Sequence, residues 1–399
     1  MKRLLSIVLL VGAASPATAQ ESPWDMSANL ELQTRYFTQD AAFPRQDGDA
    51  LQWSLAGELE LRWRGDDSRT SIIGYARFDN TDDERSLFDF REAYWAKEGD
   101  GYELLIGLNT VFWGVTESVH LVDIINQTDF VSDIDGEDKL GQPMVNLELQ
   151  RDWGLLSLYV LPTFRERTFA GLDGRFRTPF DLLIDDAQYE SSDEENNVDF
   201  AVRYSHYFGD VDVGLSYFTG TSREPRFVID DAALPLLRFV PFYDDISQVG
   251  VDVQLTRDAW LWKLEAISRD ARFGQIFAAV AGVEYTFYQV ADSDADVGVL
   301  VEYQYDDRDA REPLTLADND VFLGARLAMN DIQDTAVLAG LSYDSDTGET
   351  FYNIEGERRI GNNWFFELRA RLFTGSDPGD AAFFVSRDDY IQLQIARFF

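Results

Sequence analysis

The chain predicts an all-β fold, a transmembrane antiparallel β-barrel of about 18 strands, with about 16 as the nearest alternative. Three observations carry this. Alternating-hydrophobicity stretches recur along the chain after an export signal. The connections between them run short, long, short, long. The last stretch, Asp389 to Phe399, ends on an aromatic residue. A chain crossing a membrane as antiparallel strands has tight turns at one rim, the periplasmic one, and roomy extracellular loops at the other.

The export signal occupies residues 1–19. Lys2 and Arg3 supply positive charge, and Ala17-Thr18-Ala19 supply a cleavage site before Gln20. Leu4 to Val11 is apolar but far short of the roughly 20 residues that span a bilayer. No cysteine follows, so a lipoprotein anchor is excluded. Residues 20–399 read as a single barrel domain, with no Pro/Ser/Gly-rich linker and no sustained helical period. The net charge is −38, and losing Lys2 and Arg3 makes it more negative. Such a surface repels nucleic acid, whose affinity rests on cations neutralising phosphates. Two histidines and no cysteine leave few ligands for a transition metal.

The strands alternate cleanly. Leu51, Trp53, Leu55, Gly57, Leu59, Leu61 and Trp63 share one face, opposite Gln52, Ser54, Ala56, Glu58, Glu60 and Arg62. Val249, Val251, Val253 and Leu255 oppose Gly250, Asp252 and Gln254, and Trp364 to Leu372 alternates in the same way. In a membrane the apolar face meets lipid and the polar face lines the lumen. Two stretches are irregular: Phe88–Lys97, where Arg91 and Glu92 break the alternation, and Gly154–Leu161.

A two-sheet sandwich would alternate as well, and the connections decide against it. Short turns fall at 65–67, 98–100, 152–153, 209–210, 257–258, 293–294, 330–331 and 361–363. Longer stretches, notably 114–142, 163–196, 220–245, 306–319 and 374–388, lie between them. Trp63, Trp95, Trp153, Trp260, Trp262 and Trp364 all sit near short turns, as an interfacial aromatic belt at one rim requires. Counting back from Phe399, Arg397, Ile395, Leu393 and Ile391 share its face. This resembles the terminal signature that the barrel-assembly machinery recognises. Arg397 is the departure, and at a rim its guanidinium can snorkel to headgroups.

With the apolar face outside, the acids facing the lumen include Glu58, Glu60, Glu148, Asp252, Glu302, Glu355 and Glu367. The bases include Arg62, Arg369 and Arg371. The carboxylate surplus favours cations, and no basic ladder suited to a polyanion is apparent. The alternative is that these groups pair across strands and stiffen the wall.

A barrel this wide encloses an aqueous channel unless a loop folds in. The candidate is 114–142, whose apolar, β-branched stretch Val119 to Ile125 is unlike a solvated loop. Packing outside the rim or against a second copy would also cover it. As a constriction it would offer Trp113 for stacking, and Glu117, Asp123, Asn126 and Asp129 as polar contacts.

Gly107-Leu108-Asn109 to Trp113-Gly114, followed by Asp123-Ile124-Ile125-Asn126-Gln127-Thr128-Asp129, resembles a strand–loop pattern in a family of proteobacterial outer-membrane proteins defined only as a domain of unknown function. That pattern runs G-x-Q, W-G, then D-x-I-N-P-x-D. Asn109 and Gln127 replace its Gln and Pro. Phe90-Arg91-Glu92-Ala93-Tyr94 is similar too, and more distantly resembles alginate-export barrels. The resemblance implies one large barrel with a transport role.

Two further chemistries are open. Asp133, Asp135, Glu137 and Asp138 space carboxylates around Gly136 as calcium loops do, without the full ligand pattern. A solvated acidic loop is the alternative. Ser118 and His120, two apart, are the one candidate for a hydrolase, but no nucleophile motif surrounds them. The leading expectation is therefore a non-enzymatic, porin-like channel for small hydrophilic solutes, cationic or neutral, embedded in outer-membrane lipid and lipopolysaccharide. The alternative is a structural or adhesive barrel whose acidic loops bind divalent cations.

Overall fold

The computed structural model describes residues 23–230, 238–377 and 380–399. The export signal at 1–19 lies outside the described residues. The strands are β1 (Trp24–Phe37), β2 (Leu51–Arg64), β3 (Ser68–Asp79), β4 (Leu87–Gly99), β5 (Tyr102–Asn109), β6 (Gln142–Arg151) and β7 (Gly154–Leu161). After the short β8 (Gln188–Tyr189) come β9 (Asp199–Phe208) and β10 (Val211–Thr221). The short β11 (Arg226–Ile229) and β12 (Phe239–Tyr243) precede β13 (Asp245–Arg257), β14 (Trp260–Ala271), β15 (Gly274–Phe287) and β16 (Asp296–Asp306). The remainder are β17 (Asn319–Ala328), β18 (Ala336–Asp344), β19 (Thr350–Ile360), β20 (Trp364–Thr374) and β21 (Tyr390–Phe398).

All but β8, β11 and β12 form one 18-stranded antiparallel sheet. Each strand pairs with its chain neighbour, and β21 closes the ring on β1 with Phe37 opposite Tyr390 and Asn29 opposite Phe398. Closure leaves no strand edge, which is the only way a sheet can satisfy its backbone in lipid. β1 starts at Trp24, where Trp24 to Ala28 pair with Trp63 to Leu59.

The outer face follows the alternation: Leu51, Trp53, Leu55 and Leu59 are exposed, whereas Gln52, Ser54 and Ala56 are buried. At the turn rim Trp24, Trp95, Trp153, Trp260, Trp262 and Trp364 are exposed, and Trp63 lies opposite Trp24. The guanidinium of Arg397 lies 5.2 Å from both the Trp364 and Phe399 rings, so this cation sits within the aromatic girdle.

The short–long rhythm has exceptions. On the loop rim, 272–273 is a two-residue turn closed by Ala271 opposite Gly274, and 345–349 is also short. On the turn rim, 288–295 is longer than a tight hairpin. The irregularity in β4 has a physical cause. The β3–β4 register shifts between Ile73 and Gly74, leaving Arg91 as the extra residue of a β-bulge. A bulge re-aims a side chain, and here it turns Arg91 inward.

The inner wall is not uniformly polar, contrary to the simple reading of alternation. Towards the loop rim, Leu105, Met144, Tyr159, Leu161, Phe218, Ile246 and Ile267 form one buried cluster with Trp113, Val122, Ile124 and Ile125. A second cluster joins Phe37, Phe176, Phe373, Val385 and Tyr390 under the loops. The core of this protein is inside its barrel.

Candidate functional site

The segment between β5 and β6 leaves the wall at Asn109 and returns at Gln142. Asn126 ties its two arms together: its Oδ1 accepts from Val111 N at 2.9 Å, and its Nδ2 donates to Asn109 O at 2.9 Å and Leu140 O at 2.8 Å. Gly114 has φ +144°, and a Cβ there would lie 3.0 Å from Glu265 Oε1 and from His120 Nδ1, so only glycine fits. Burying Val122, Ile124 and Ile125 against the inner wall contributes roughly 1.5–3 kcal/mol each.

Its charged contacts with the strand wall fall on two separate arcs of the ring, and the two grip it with opposite chemistry. On the β14–β17 arc, wall carboxylates accept backbone N–H groups. Glu265, fully buried, accepts from Val115 N at 2.7 Å, Thr116 N at 3.0 Å and Val122 N at 3.2 Å. Glu302 accepts from Glu117 N at 2.9 Å and Ser118 N at 2.8 Å, and Arg326 holds the Glu117 carboxylate at 2.7 Å. The bonds to Glu265 and Glu302 are charge-assisted hydrogen bonds in a dry setting, the strong kind, whereas Arg326 is partly open to solvent.

On the arc of β20, β1, β3 and β4, wall arginines grip loop carboxylates and carbonyls. Arg371 Nη1 lies 2.7 Å from Asp133 Oδ1, and its Nη2 lies 2.6 Å from Asp135 Oδ2; Arg369 also contacts Asp133. Arg91, freed by the bulge, reaches Asp129 at 2.9 Å. Arg35 and Arg85 both donate to Ser132 O, and Arg77 donates to Ser132 Oγ. Burial by itself would push the Asp133 carboxyl up, but Arg371, Arg369 and Arg35 hold it down at about 2.

These contacts assign places to the sequence candidates. Trp113 is 3% exposed, packed edge-on to Tyr159 beneath the Arg203 guanidinium, so it offers no face for a solute to stack on. Asp123 is sealed by Lys139 at 3.1 Å and accepts from Trp113 N; Asn126 and Asp129 are likewise buried staples. Asp252 pairs with Arg203 at 2.8 Å, and Glu355 and Glu367 each pair with Arg369 at 3.1 Å. Glu117, Glu58, Glu60, Arg62 and Glu148 keep partial exposure. Of the five residues named for a constriction, Trp113, Asp123, Asn126 and Asp129 thus hold the segment rather than meet solutes, and Glu117 keeps partial exposure.

Two other groupings are not assembled. Asp133 and Asp135 are taken by arginines and Glu137 lies 3.1 Å from His120. Among the described residues no group of three or more His, Asp or Glu side chains could hold a metal ion. Ser118 Oγ donates to Glu302 at 2.6 Å and His120 faces Glu137 and Glu265, so the two do not form a nucleophile–base pair. Burial opposes a charge on His120, yet its hydrogen bond to Glu137 at 3.1 Å and the Glu265 carboxylate 3.9 Å from Nδ1 raise its pKa to about 10. A protonated imidazole is no general base at neutral pH.

Arg35, Arg77, Arg85, Arg91, Arg369 and Arg371 converge although they come from distant parts of the chain, so the lumen does carry a basic wall. Arg91 was marked in the sequence by the broken alternation. Arg85 lies outside any strand and gave no such signal.

No protein-family model matches the chain, and no curated protein sequence matches it significantly. Solved structures do. A BenF-like porin from Pseudomonas fluorescens Pf-5 has 9% identity, with 94% of this chain and 98% of that chain covered and a TM-score of 0.53. Acinetobacter baumannii OccAB3 gives 9%, 94% and 99%, and 0.53. Wzi of Escherichia coli, described as a carbohydrate-binding β-barrel involved in group 1 capsule assembly, gives 9%, 94%, 84% and 0.56. At such identities the likeness is one of fold: this chain has the closed 18-stranded β-barrel fold that outer-membrane porins share.

Proposed function

We propose that the protein is a porin-like outer-membrane channel for small hydrophilic solutes, in which the 114–142 segment sets the constriction. The observation that carries this is the two-sided clamp: one arc holds the segment by its N–H groups and the other by its carboxylates, so it stays inside the ring. Half-exposed carboxylates towards the turn rim, Glu58, Glu60, Glu148 and Glu367, support a preference for cationic or neutral solutes. Assembly by the barrel-assembly machinery through β21 and Phe399, and contact of the loops with lipopolysaccharide, belong to the same reading.

Planar-bilayer recording tests it. Stable open channels with cation-leaning reversal potentials are expected. An electrically silent barrel would instead favour a non-transport role. The observation on that side is the dense loop cover, in which Arg175 pairs with Asp388 at 2.6 Å and Phe176 packs on Tyr390. Wzi, which is carbohydrate-binding by its description, shares this fold.

A further inference from the structure

Beside the mouth, residues 170–186 fold against the single-turn 3₁₀ helix Asp83–Arg85 and enclose a cavity of about 260 Å³. Leu172, Phe180 and Leu183 give it an apolar wall, and Arg177, Glu84 and Asp185 give it charge. Arg177 is 5% exposed. Its guanidinium donates only to neutral acceptors, Pro44 O at 2.8 Å and Thr178 O at 3.1 Å, and its Nε has no hydrogen-bond partner. The nearby Asp181 pairs with Arg45 instead, at 3.9 Å. The guanidinium lies over the Phe43 ring at 5.4 Å and feels Asp181 and Asp173 only at longer range, with no hydrogen-bonded carboxylate; an incoming ligand would supply one. The cavity is also lined by two solvent-exposed carboxylates, Glu84 and Asp185. Among the described residues neither Glu84 nor Asp185 has an ion-pair partner, and burial together with Asp185 pushes the Glu84 carboxyl above its ordinary range.

We propose that this cavity binds a zwitterion of amino-acid size with an apolar side chain. Its carboxylate meets Arg177, its ammonium meets Glu84 and Asp185, and its side chain packs on Leu172, Phe180 and Leu183. The ligand's carboxylate supplies buried Arg177 with a hydrogen-bonded anion, its ammonium meets two exposed carboxylates, and the apolar wall adds affinity of the ordinary hydrophobic kind. The site is at the mouth, so it stands whether or not the barrel conducts.

Calorimetric titration of the full barrel in detergent tests it with three probes: L-phenylalanine, N-acetyl-L-phenylalanine and L-phenylalanine amide. Removing the ammonium should weaken binding by a smaller factor than removing the carboxylate, since Glu84 and Asp185 are exposed. Removing the carboxylate should weaken it about tenfold or more, because buried Arg177 is then left unpaired. Arg177→Gln should weaken phenylalanine by a similar factor while leaving the amide unchanged. Asp185→Asn, at an exposed position, should weaken phenylalanine but not the N-acetyl form. No binding of phenylalanine to the unmodified protein, or equal binding of all three probes, overturns the proposal. Were Arg177→Gln to misfold, the Asp185 variant and the three probes still decide. None of these outcomes bears on conductance.

Discussion

Arg371 is fully buried in the loop-side half of the lumen and holds Asp133 at 2.7 Å, whereas in the turn-side half Arg62 stays 62% exposed beside Glu60. Both pair a wall arginine with a carboxylate. They differ in what lies over them. The loop-side pair is roofed by the inward segment and by the apolar clusters, so water is excluded and each charge depends on its partner. The turn-side pair faces open solvent, where an ion pair contributes little. The wall therefore has two characters: near the loops it holds the inward segment in a dry interior, and near the turns its charges are open to solvent.

Deleting 119–129 should produce the largest change, because it removes Val122, Ile125, Asn126 and Asp129 together. Single-channel conductance should rise severalfold, and unchanged conductance would place the constriction elsewhere. Arg371→Ala should be next. It leaves Asp133 and Asp135 without their main partner, at a cost of about 3 kcal/mol. The heat-modifiability midpoint of the folded barrel should fall accordingly, while Arg62→Ala should change stability by less than about 0.5 kcal/mol. Equal effects of the two would erase the distinction between the halves.

Selectivity sharpens the comparison from the other side. Replacing Glu58, Glu60 and Glu367 by Gln should move the reversal potential towards the unselective value with little loss of stability. A stable potential would show that these carboxylates do not set the field.

His120 gives a smaller, pH-dependent effect. Its folded value, about 10, lies above the ordinary 6.5, so its stabilisation is complete below pH 6.5 and is lost as pH rises through about 10. Amide exchange at 115–122 should therefore accelerate across that window, and His120→Gln should flatten the response. An exchange profile insensitive to pH in both forms, once corrected for intrinsic rates, would remove His120 from the clamp.

Strand faces, the aromatic girdle and the ring of strands were legible from alternation and turn residues, because lipid imposes its demand on every second residue and turns impose theirs locally. Even the bulge at Arg91 left a visible break. The interior was less legible. Trp113 has the residue type of a stacking platform, yet the packing of Tyr159 and Arg203 on it makes it core. Asp133 to Asp138 has the spacing of a cation loop, yet Arg369 and Arg371, more than two hundred residues on, claim its first two carboxylates.

That division has one physical source. The period-2 contrast between lipid and lumen is written within each strand, so the chain alone was enough for the barrel and its outer face. Which lumenal charges neutralise one another depends on ring closure and on where 114–142 crosses the ring. Arg35, Arg77, Arg91 and Arg371 look like scattered single cations until closure draws their strands onto one arc. Only then do they form the wall that holds the segment in place.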